Sequence, residues 1–389
     1  MTLSLALFLA ALVGLVLLAV QLWSLRRHVA ARRGEPGRMP PVSVLKPLCG
    51  VDDGLRENLE SFAFLDFPQY EVLLGVQDDA DPAWPVAVAA VTRWPERFRL
   101  VRQRGAPGLN PKVNQLITLA RAARNDVLVI SDSNVRVRPG YLREIAWHLQ
   151  AEDVGLVTHP VVGVGERSVG ALFENLHLTA SVGPGVVAAK RLAGRDMVVG
   201  KSMALRRRDL EALGGFECVK DVLAEDYVLG LKVARELGKR VALAASPVEN
   251  VNTDRPVRGF LGRYRRWCVM QRMIAGRPIY ACQALLNPIP FALLAAAVRP
   301  GWTSLALLLA VCASKAALDG ASARAMTRTR FGWGLALVPV KDVLFAVAWT
   351  RGFLEDSVEW RGRRLRLLGG SRLQVPAGAA STGLLATDP

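Results

Sequence analysis

The sequence predicts an α/β fold: a mixed, mostly parallel sheet with helices on both faces, joined to an N-terminal transmembrane helix and C-terminal membrane helices. The sheet is predicted because short apolar runs alternate with more polar segments of helical spacing between residue 42 and about residue 250. Such alternation is typical of βαβ units. The membrane helices are predicted because residues 1–25 carry no charge and because apolar segments return after residue 283.

Composition agrees with a membrane protein. Of the 389 residues 51% are hydrophobic, and the mean hydropathy is +0.23. The formal net charge of +16 would suit nucleic acid, anionic lipid or phosphate-bearing substrates. Membrane is favoured over nucleic acid because basic residues such as Arg26 and Arg27 lie beside apolar segments. The five cysteines form no Cys-x-x-Cys pair, so neither a disulfide framework nor a zinc site is predicted.

The first element, residues 1–25, is predicted to be a transmembrane anchor. It exceeds the roughly 20 apolar residues that a spanning helix needs. Positive charges follow this run rather than precede it, which argues against a cleaved signal and predicts that the rest of the chain is cytoplasmic. Residues 26–41, rich in Arg, Gly and Pro, are predicted to be a basic linker.

Residues 42–275 form the predicted cytoplasmic domain. Strands are predicted at 42–45, 71–76 and 126–130, and helices at 55–64, 82–92 and 111–123. Open α/β sheets bind ligands at the carboxyl ends of their strands. The acids that follow two of these strands, at positions 78 and 132, are therefore candidates for a binding site.

Residues 276–372 are predicted to be membrane-associated helices and a basic tail. Two apolar segments, 284–298 and 302–318, flank Arg299-Pro300-Gly301 and predict a hairpin. The next apolar stretch carries Lys341 and Asp342 at its centre, which is costly in an isolated spanning helix.

The stretch 333–353 is therefore predicted to be interfacial or re-entrant, which keeps the arginines after it on the cytoplasmic side. Residues 373–389 are predicted to be a disordered tail.

Asp132-Ser133-Asn134 ends an apolar strand, where oxygen ligands could hold a diphosphate through Mg²⁺ or Mn²⁺. The preferred pattern for that task is Asp-x-Asp, and Asn134 is a weaker ligand. An Asx-type turn that closes the strand is the alternative interpretation. Asp78 follows the predicted strand at 71–76 and could accept hydrogen bonds from uracil or ribose.

Lys112 and the pair Glu225-Asp226 lie at predicted helix starts. A lysine in the first turn opposes the helix dipole, so Lys112 suits a diphosphate better than it suits helix stability. Acids at a helix start are common caps. A general base needs the same kind of rigid position, so Asp226 is a candidate base.

Arg263, Arg266 and Trp267 are spaced to share one helix face. Guanidinium groups suit phosphate oxygens on which charge develops, and the indole of Trp267 offers a flat wall for a sugar or a lipid. The alternative is a basic amphipathic helix that lies on anionic lipid.

In their order and spacing, these motifs resemble family-2-type inverting glycosyltransferases and, more narrowly, bacterial-type members of the ceramide glucosyltransferase family. The matching segments are Val76-Gln77-Asp78, Asn110-Pro111-Lys112-Val113-Asn114, Asp132-Ser133-Asn134-Val135-Arg136-Val137, Gly200-Lys201-Ser202-Met203, Ala224-Glu225-Asp226-Tyr227 and Arg263-x-x-Arg266-Trp267.

The resemblance implies a GT-A-type fold, a divalent metal (Mg²⁺ or Mn²⁺), a UDP-sugar donor and a ceramide acceptor taken from the membrane, with no nucleic acid partner. The implied reaction is the inverting transfer of a hexose, glucose in the first place, to the primary hydroxyl of ceramide. The implied location is the bacterial inner membrane.

By the same resemblance, the catalytic residues are Asp226, Arg266 and Trp267. The implied substrate-binding residues are Asp78, Lys112, Asp132, Glu225 and Arg263, and the metal ligands are Asp132 and Asn134.

Three alternatives stay open from the residues. The acceptor could be another membrane lipid, such as a hopanoid or diacylglycerol, because Thr179 to Pro184 stand where animal members of the family place a histidine. A processive polysaccharide synthase shares the Arg-x-x-Arg-Trp block but needs more spanning helices. A non-catalytic basic membrane-binding protein is the alternative from another class.

Overall fold

The protein is described by a computed structural model that covers residues 2–31, 34–327, 331–360 and 363–376. The helices are α1 (Thr2–Val29), α2 (Leu55–Ala63), α3 (Ala83–Arg93), α4 (Pro111–Ala122), α5 (Tyr141–Leu149), α6 (Val169–His177), α7 (Gly183–Ala193), α8 (Arg207–Ala212), α9 (Glu225–Glu236), α10 (Val257–Ala275), α11 (Arg277–Cys282), α12 (Pro288–Val298), α13 (Trp302–Met326) and α14 (Val338–Leu354). The strands are β1 (Val42–Pro47), β2 (Tyr70–Val76), β3 (Phe98–Arg102), β4 (Val127–Ser131), β5 (Val135–Arg136), β6 (Val154–Thr158), β7 (Val161–Val164), β8 (Ser202–Arg206), β9 (Arg240–Leu243), β10 (Val248–Val251), β11 (Ser357–Trp360), β12 (Arg363–Leu368) and β13 (Arg372–Gln374).

The central sheet has seven strands in the order β3-β2-β1-β4-β8-β6-β9. Its pairs are parallel except those of β8, which runs antiparallel to both β4 and β6. Strands β1, β2, β4 and β6 are buried along their whole length because both faces of the sheet are covered. Leu59 and Ile145 belong to the core on one face, and Ile117 and Leu229 to the core on the other. The mixed, mostly parallel sheet with helices on both faces is thus confirmed.

A small second sheet, in the order β5-β10-β7, supports the loop after β4. Strand β10 pairs antiparallel with β5 and parallel with β7. The backbone N–H of Val251, at the end of β10, donates to the carbonyl of Asn134 at 2.9 Å. The segment that carries Asp132 and Asn134 is therefore fixed from two sides.

Three helical segments among the described residues are long and apolar enough to cross a membrane: α1, α13 and Gly332–Leu354. The pair Arg277–Leu286 and Pro288–Val298 would add a fourth span, bent by 77°, if it crosses as one unit. Helix α12 packs against α1, where the hydroxyl of Ser4 donates to the carbonyl of Ala295 at 2.9 Å. These apolar helices indicate membrane association.

Four charged side chains are buried together where α13 meets α14. Lys315 contacts Asp319 at 2.6 Å and Asp342 at 3.5 Å, and Lys341 is paired with Asp342. None of the four is more than 4% exposed. Pairing between helices offsets the cost of placing charge in apolar surroundings, which explains why Lys341 and Asp342 occur inside an apolar stretch.

We expect Lys315→Met to lower the stability of the folded chain by about 3–5 kcal/mol, because it leaves the Asp319 carboxylate buried without its partner. Thermal unfolding in detergent micelles measures the loss. The double variant Lys315→Met/Asp319→Leu should recover much of it, since the pair is then removed as a unit. The exposed pair Arg208–Glu152 provides the control, because Arg208→Met should change stability by less than about 1 kcal/mol. A single variant as stable as the parent would contradict the expectation.

The C-terminal strands β11, β12 and β13 form an antiparallel sheet that packs on the α/β domain. The N–H of Leu223 donates to the carbonyl of Ser371 at 2.9 Å. The tail and the domain therefore lie on the same side of any membrane that the apolar helices cross. The domain boundary predicted between residues 372 and 373 falls inside β13, and residues 377–389 of the predicted disordered tail lie outside the described residues.

Candidate active site

The direction of β8 places Lys201 beside Asp132. Because β8 is antiparallel to β4, its first residue, Ser202, lies opposite the last residue of β4, Ser131. The residues just beyond, Asp132 and Lys201, therefore meet at the carboxyl end of β4. The Nζ of Lys201 lies 3.0 Å from Asp132 Oδ2 and donates to Asn134 Oδ1 at 2.9 Å.

Lys112 binds two acids that are distant in sequence. Helix α4 begins at Pro111, and the side-chain oxygen of Asn110 caps it by accepting from the N–H groups of Lys112 and Val113. The Nζ of Lys112 lies 2.8 Å from Asp132 Oδ1 and 2.9 Å from Glu225 Oε1. The start of α4 thus joins the end of β4 to the start of α9.

Neighbouring charges shift the pKa values of Lys112 and Asp132. Burial alone would raise the pKa of Asp132, but the ammonium groups of Lys112 and Lys201 outweigh burial and hold that pKa well below its usual value. Burial would lower the pKa of Lys112, but Asp132 and Glu225 outweigh it and raise that pKa. Asp132 is therefore ionised and Lys112 positively charged at neutral pH.

Gly200 links Lys112 to Asp226 through its backbone. Its carbonyl accepts from Lys112 Nζ at 3.1 Å, and its N–H donates to Asp226 Oδ2 at 2.5 Å. The other carboxylate oxygen of Asp226 accepts from the N–H of Tyr227 at 2.8 Å. A Cβ on Gly200 would lie 2.6 Å from Asp226 Oδ2, so a larger residue there would displace the carboxylate. The position of Asp226 depends on this glycine.

The surroundings of Asp226 raise the pKa of its carboxyl group above the usual value for an aspartate. Burial, followed by the charge of Glu225, raises its pKa to about 6, while Lys112 acts in the opposite direction. A carboxylate with this pKa accepts a proton more readily than an exposed aspartate does.

If Asp226 is the base, kcat/KM should fall about tenfold for each pH unit below about 6, because only the ionised form accepts a proton. A pH series of initial rates with the donor at low concentration measures this limb. A rate that stays constant down to pH 4.5 would contradict the assignment. Binding of UDP over the same pH range is the control for loss of the fold.

The predicted Arg263, Arg266 and Trp267 lie on α10. Arg263 is ion-paired with the fully buried Glu174 of α6, which also contacts Arg255 at 3.0 Å. The ring of Trp267 packs edge-on against Tyr264, with centroids 5.6 Å apart. Arg263 thus anchors α10 to the α/β domain in this structure.

The two motif regions lie close together in space. Leu223, three residues before Asp226, and Val269, two residues after Trp267, belong to the same buried apolar cluster. The structure therefore brings the start of α9 near the middle of α10, although about forty residues separate them in sequence.

Asp78 follows β2, which is separated from β4 by β1. Its carboxylate accepts from the N–H of Ala80 at 3.1 Å, as in an Asx turn. Asp78 lies at the same edge of the sheet as Asp132, and its side chain bonds the local backbone rather than Lys112.

Two groups at the end of β1 were not predicted from the sequence. Lys46 is fully buried, donates to the carbonyl of Asp132 at 2.9 Å and lies 3.9 Å from the centre of the Phe62 ring. Burial lowers its pKa to about 7, against the attraction of Asp132. The sequence did contain a signal for Lys46, because a lysine is unusual at a buried position of an otherwise mostly apolar strand.

Asp52, beyond the end of β1, accepts a hydrogen bond from Ser133. With Asp53, Asn134 and Arg255 it lines a cavity of about 350 Å³ beside the cluster. Asp52 lies further along the loop between β1 and α2, and not directly after the strand as Asp78 and Asp132 do, so strand-end position alone does not indicate it.

The oxygen atoms around Lys201 fit a divalent metal. Among the described residues, no three His, Cys, Asp or Glu side chains converge on one point. Asp132 Oδ2 and Asn134 Oδ1, however, both contact the ammonium of Lys201 and so converge on one cation. Mg²⁺ at phosphate sites commonly takes one or two protein oxygens, with water and substrate phosphates as the remaining ligands. A metal that binds there together with a diphosphate would take the place of the Lys201 ammonium between these two oxygens.

The fold is similar to that of a glycosyltransferase of known structure. A mannosyltransferase from Pyrobaculum calidifontis, solved in complex with GDP-Man and Mn²⁺, superposes with a TM-score of 0.51 at 23% identity. The match covers 90% of this chain and 98% of that one. The α/β domain is therefore GT-A-like, as the resemblance of the motifs implied.

Relatives and a family model agree on the class. Ceramide glucosyltransferases 3 and 1 of Caenorhabditis elegans are each 29% identical to this chain, over 60% and 63% of its length. The matches cover 51% and 53% of those proteins, so the chain spans about half the length of the curated relatives it matches. The family model described as Glycosyl transferase family 21 matches residues 6–373. Because that match includes nearly the whole chain, this protein belongs to glycosyl transferase family 21.

Proposed function

We propose that this protein transfers a hexose, glucose in the first place, from a UDP-sugar to the primary hydroxyl of ceramide with inversion at the anomeric carbon. The product is a β-linked glycosphingolipid. The observation that carries the proposal is the convergence of Lys112, Asp132, Glu225 and Asp226 around Gly200, at the carboxyl edge of a GT-A-like sheet. The 29% identity to ceramide glucosyltransferases supports the choice of acceptor.

In the proposed reaction Asp226 acts as the general base. Its carboxylate takes the proton from the lipid hydroxyl, and the hydroxyl oxygen attacks the anomeric carbon from the side opposite the leaving UDP. One carboxylate is sufficient because inversion takes place in a single displacement. The hydrogen bonds from Gly200 and Tyr227 hold that carboxylate in one orientation.

The remaining residues bind the donor and stabilise the leaving group. Lys112 and Asp132 lie where the diphosphate is proposed to bind, and Asp78, which follows β2 at the same edge of the sheet, contacts the nucleotide. A divalent metal held by Asp132 and Asn134 would neutralise the phosphate charge. Arg266 and Trp267 close over the pyrophosphate and acceptor. Arg263, paired with Glu174, contributes by fixing α10.

Removal of metal by EDTA is expected to lower the transfer rate at least about 100-fold, since charge on the departing UDP would lose its main counter-ion. Addition of Mn²⁺ or Mg²⁺ in excess should restore the rate. The variant Asn134→Ala should require more metal for half-maximal rate than the parent. Full activity in EDTA would instead assign charge neutralisation to Lys112 and Lys201.

The proposed location is the bacterial inner membrane, with the α/β domain in the cytoplasm where UDP-sugars are available. Arg26 and Arg27 in the last turn of α1 support this orientation through the positive-inside rule. The acceptor would then reach the site from the adjacent leaflet.

The deciding experiment incubates membranes that contain the protein with a panel of UDP-sugars and with ceramide, diacylglycerol or a hopanoid. Mass spectrometry and linkage analysis identify each lipid product. A β-linked hexosylceramide formed from UDP-glucose is the expected result. Transfer only to another lipid would reject ceramide as the acceptor. Lipid binding without any transfer would reject an enzymatic role.

A further inference from the structure

We propose that Ser371, which directly precedes β13 of the C-terminal sheet, is a positioning residue for the segment that leads into Asp226. The inference deepens the proposed function, and it rests on the role of Asp226 as the base. A tail after the membrane helices would thereby control the geometry of the reaction.

Ser371 holds the backbone directly before the Glu225-Asp226 pair. Its carbonyl accepts from the N–H of Leu223 at 2.9 Å, and its hydroxyl accepts from the N–H of Ala224 at 3.0 Å. Ala224 is the N-cap residue of α9 and has no side chain that could cap the helix itself. Ser371, which is 147 positions from Ala224 in sequence, therefore accepts two hydrogen bonds that fix the start of α9.

The opposite side of the same segment is held by the start of α4. The side chain of Asn110 donates to the carbonyl of Val222 at 2.7 Å. Asp221 Oδ1 accepts from the N–H of Leu109 at 2.8 Å, while the carbonyl of Asp221 accepts from Leu373 at 2.7 Å. The segment 221–224 is thus clamped between the Lys112-bearing helix and the C-terminal sheet.

The backbone of Ser371 has a left-handed conformation that is uncommon for a residue with a side chain. Its φ is +64°, and it is the one non-glycine residue with positive φ among those that the structure describes. Such a conformation is uncommon for residues with a side chain and occurs preferentially at functional sites. Ser371 is also fully buried, so its hydroxyl is committed to Ala224 rather than to solvent.

The apolar side of the sheet connects Asp226 to the Arg266-Trp267 helix. Leu367 and Leu373 pack in one buried cluster with Leu223 before α9 and with Val269 of α10. Arg272 of α10 also donates to the carbonyl of Glu355 at 2.7 Å and to Asp356 Oδ1 at 2.6 Å, in the short segment that leads into β11. The C-terminal sheet is therefore in contact with both elements that must close on the substrates.

The test compares Ser371→Ala and Ser371→Gly with the parent. Both variants remove the hydroxyl, and only glycine adopts the positive φ without strain. We expect kcat to fall about tenfold to 100-fold in both, because a small misplacement of a catalytic group has effects of that size. KM for the UDP-sugar should change less than about twofold, since uniform substrate binding is retained. Gln374→Ala, an exposed position on the same sheet, is the control and should retain the kcat of the parent.

A second measurement reports the clamp without any substrate. Hydrogen–deuterium exchange at the amides of Leu223 and Ala224 should become faster in both Ser371 variants and not in Gln374→Ala. The acidic limb of kcat/KM should move to lower pH in the Ser371 variants. Water that enters a loosened site relieves the burial that raises the pKa of Asp226.

Three results would overturn the proposal: unchanged kcat in both Ser371 variants, a loss confined to KM, or a loss of kcat with unchanged exchange at residues 223 and 224. The rate measurements use whichever donor and lipid the parent protein turns over, so an error about ceramide does not affect them. If the parent transfers no sugar at all, the proposed function fails and the role in catalysis fails with it. The exchange measurement still decides separately whether Ser371 holds the segment.

Discussion

Asp226→Asn should lower the rate of sugar transfer by at least about 10²–10⁴-fold, the range typical for loss of a positioned general base. An amide cannot accept the proton of the acceptor hydroxyl at neutral pH. It also offers one oxygen where the carboxylate offers two, so one of the hydrogen bonds from Gly200 and Tyr227 is lost. The transfer rate with saturating donor and lipid measures the effect.

The affinity for UDP distinguishes loss of the base from loss of the site. Isothermal titration of UDP should give nearly the same dissociation constant for the variant and the parent, because the proposed diphosphate site lies at Lys112 and Asp132. Asp126→Asn is the matched control: its side chain is 95% exposed, and the substitution should leave the rate unchanged. Turnover within tenfold of the parent in Asp226→Asn would remove this residue from the role of base.

Lys112→Met should have the second-largest effect, a loss of at least about 100-fold in kcat/KM for the donor. The substitution leaves the carboxylates of Asp132 and Glu225 close together without their shared cation, and their negative charge then opposes the diphosphate. It also removes the positive charge that lowers the pKa of Asp226, so the acidic limb should move to higher pH. Steady-state kinetics over a pH series measure both changes.

Lys232→Met provides the control for loss of a lysine–carboxylate pair. Lys232 pairs with Glu236 one turn further along α9, at the surface, and its replacement should change kcat/KM less than twofold. A Lys112→Met variant that keeps its donor affinity and its pH profile would show that this lysine has only a structural role.

The strand-end acids were accessible from sequence because they follow from local patterns. Apolar runs of strand length fixed β1, β2 and β4 to within two residues, and the carboxyl ends of such strands share one edge of a sheet. The motif order supplied Lys112, Glu225 and Asp226, and the structure brings these groups together.

Lys201 was harder to recognise because its place depends on strand direction. Nothing in the local sequence of β8 indicates that it runs antiparallel to β4, and a parallel strand would have carried Lys201 to the opposite edge. Ser371 was even harder to recognise from the sequence, because the residues that it contacts are about 150 positions away. Contacts at that separation depend on the complete fold rather than on local pattern.

The C-terminal sheet did have a local signal. Arg364, Leu365, Arg366 and Leu367 alternate between exposed and buried, which is the period of a strand with one covered face. The prediction of a basic tail rests on the arginines alone, whereas the leucines between them carry the strand pattern.

The contact between Ser371 and the segment before α9 has a consequence for biogenesis. Chains are synthesised from the N-terminus, so Glu225 and Asp226 leave the ribosome well before the apolar helices α12–α14 and the strands that follow them. All the acids of the site are then present, but the segment that carries them lacks its hydrogen bonds to Ser371 and Leu373. By this order of synthesis, a nascent chain completes the candidate site only after its hydrophobic helices have been made.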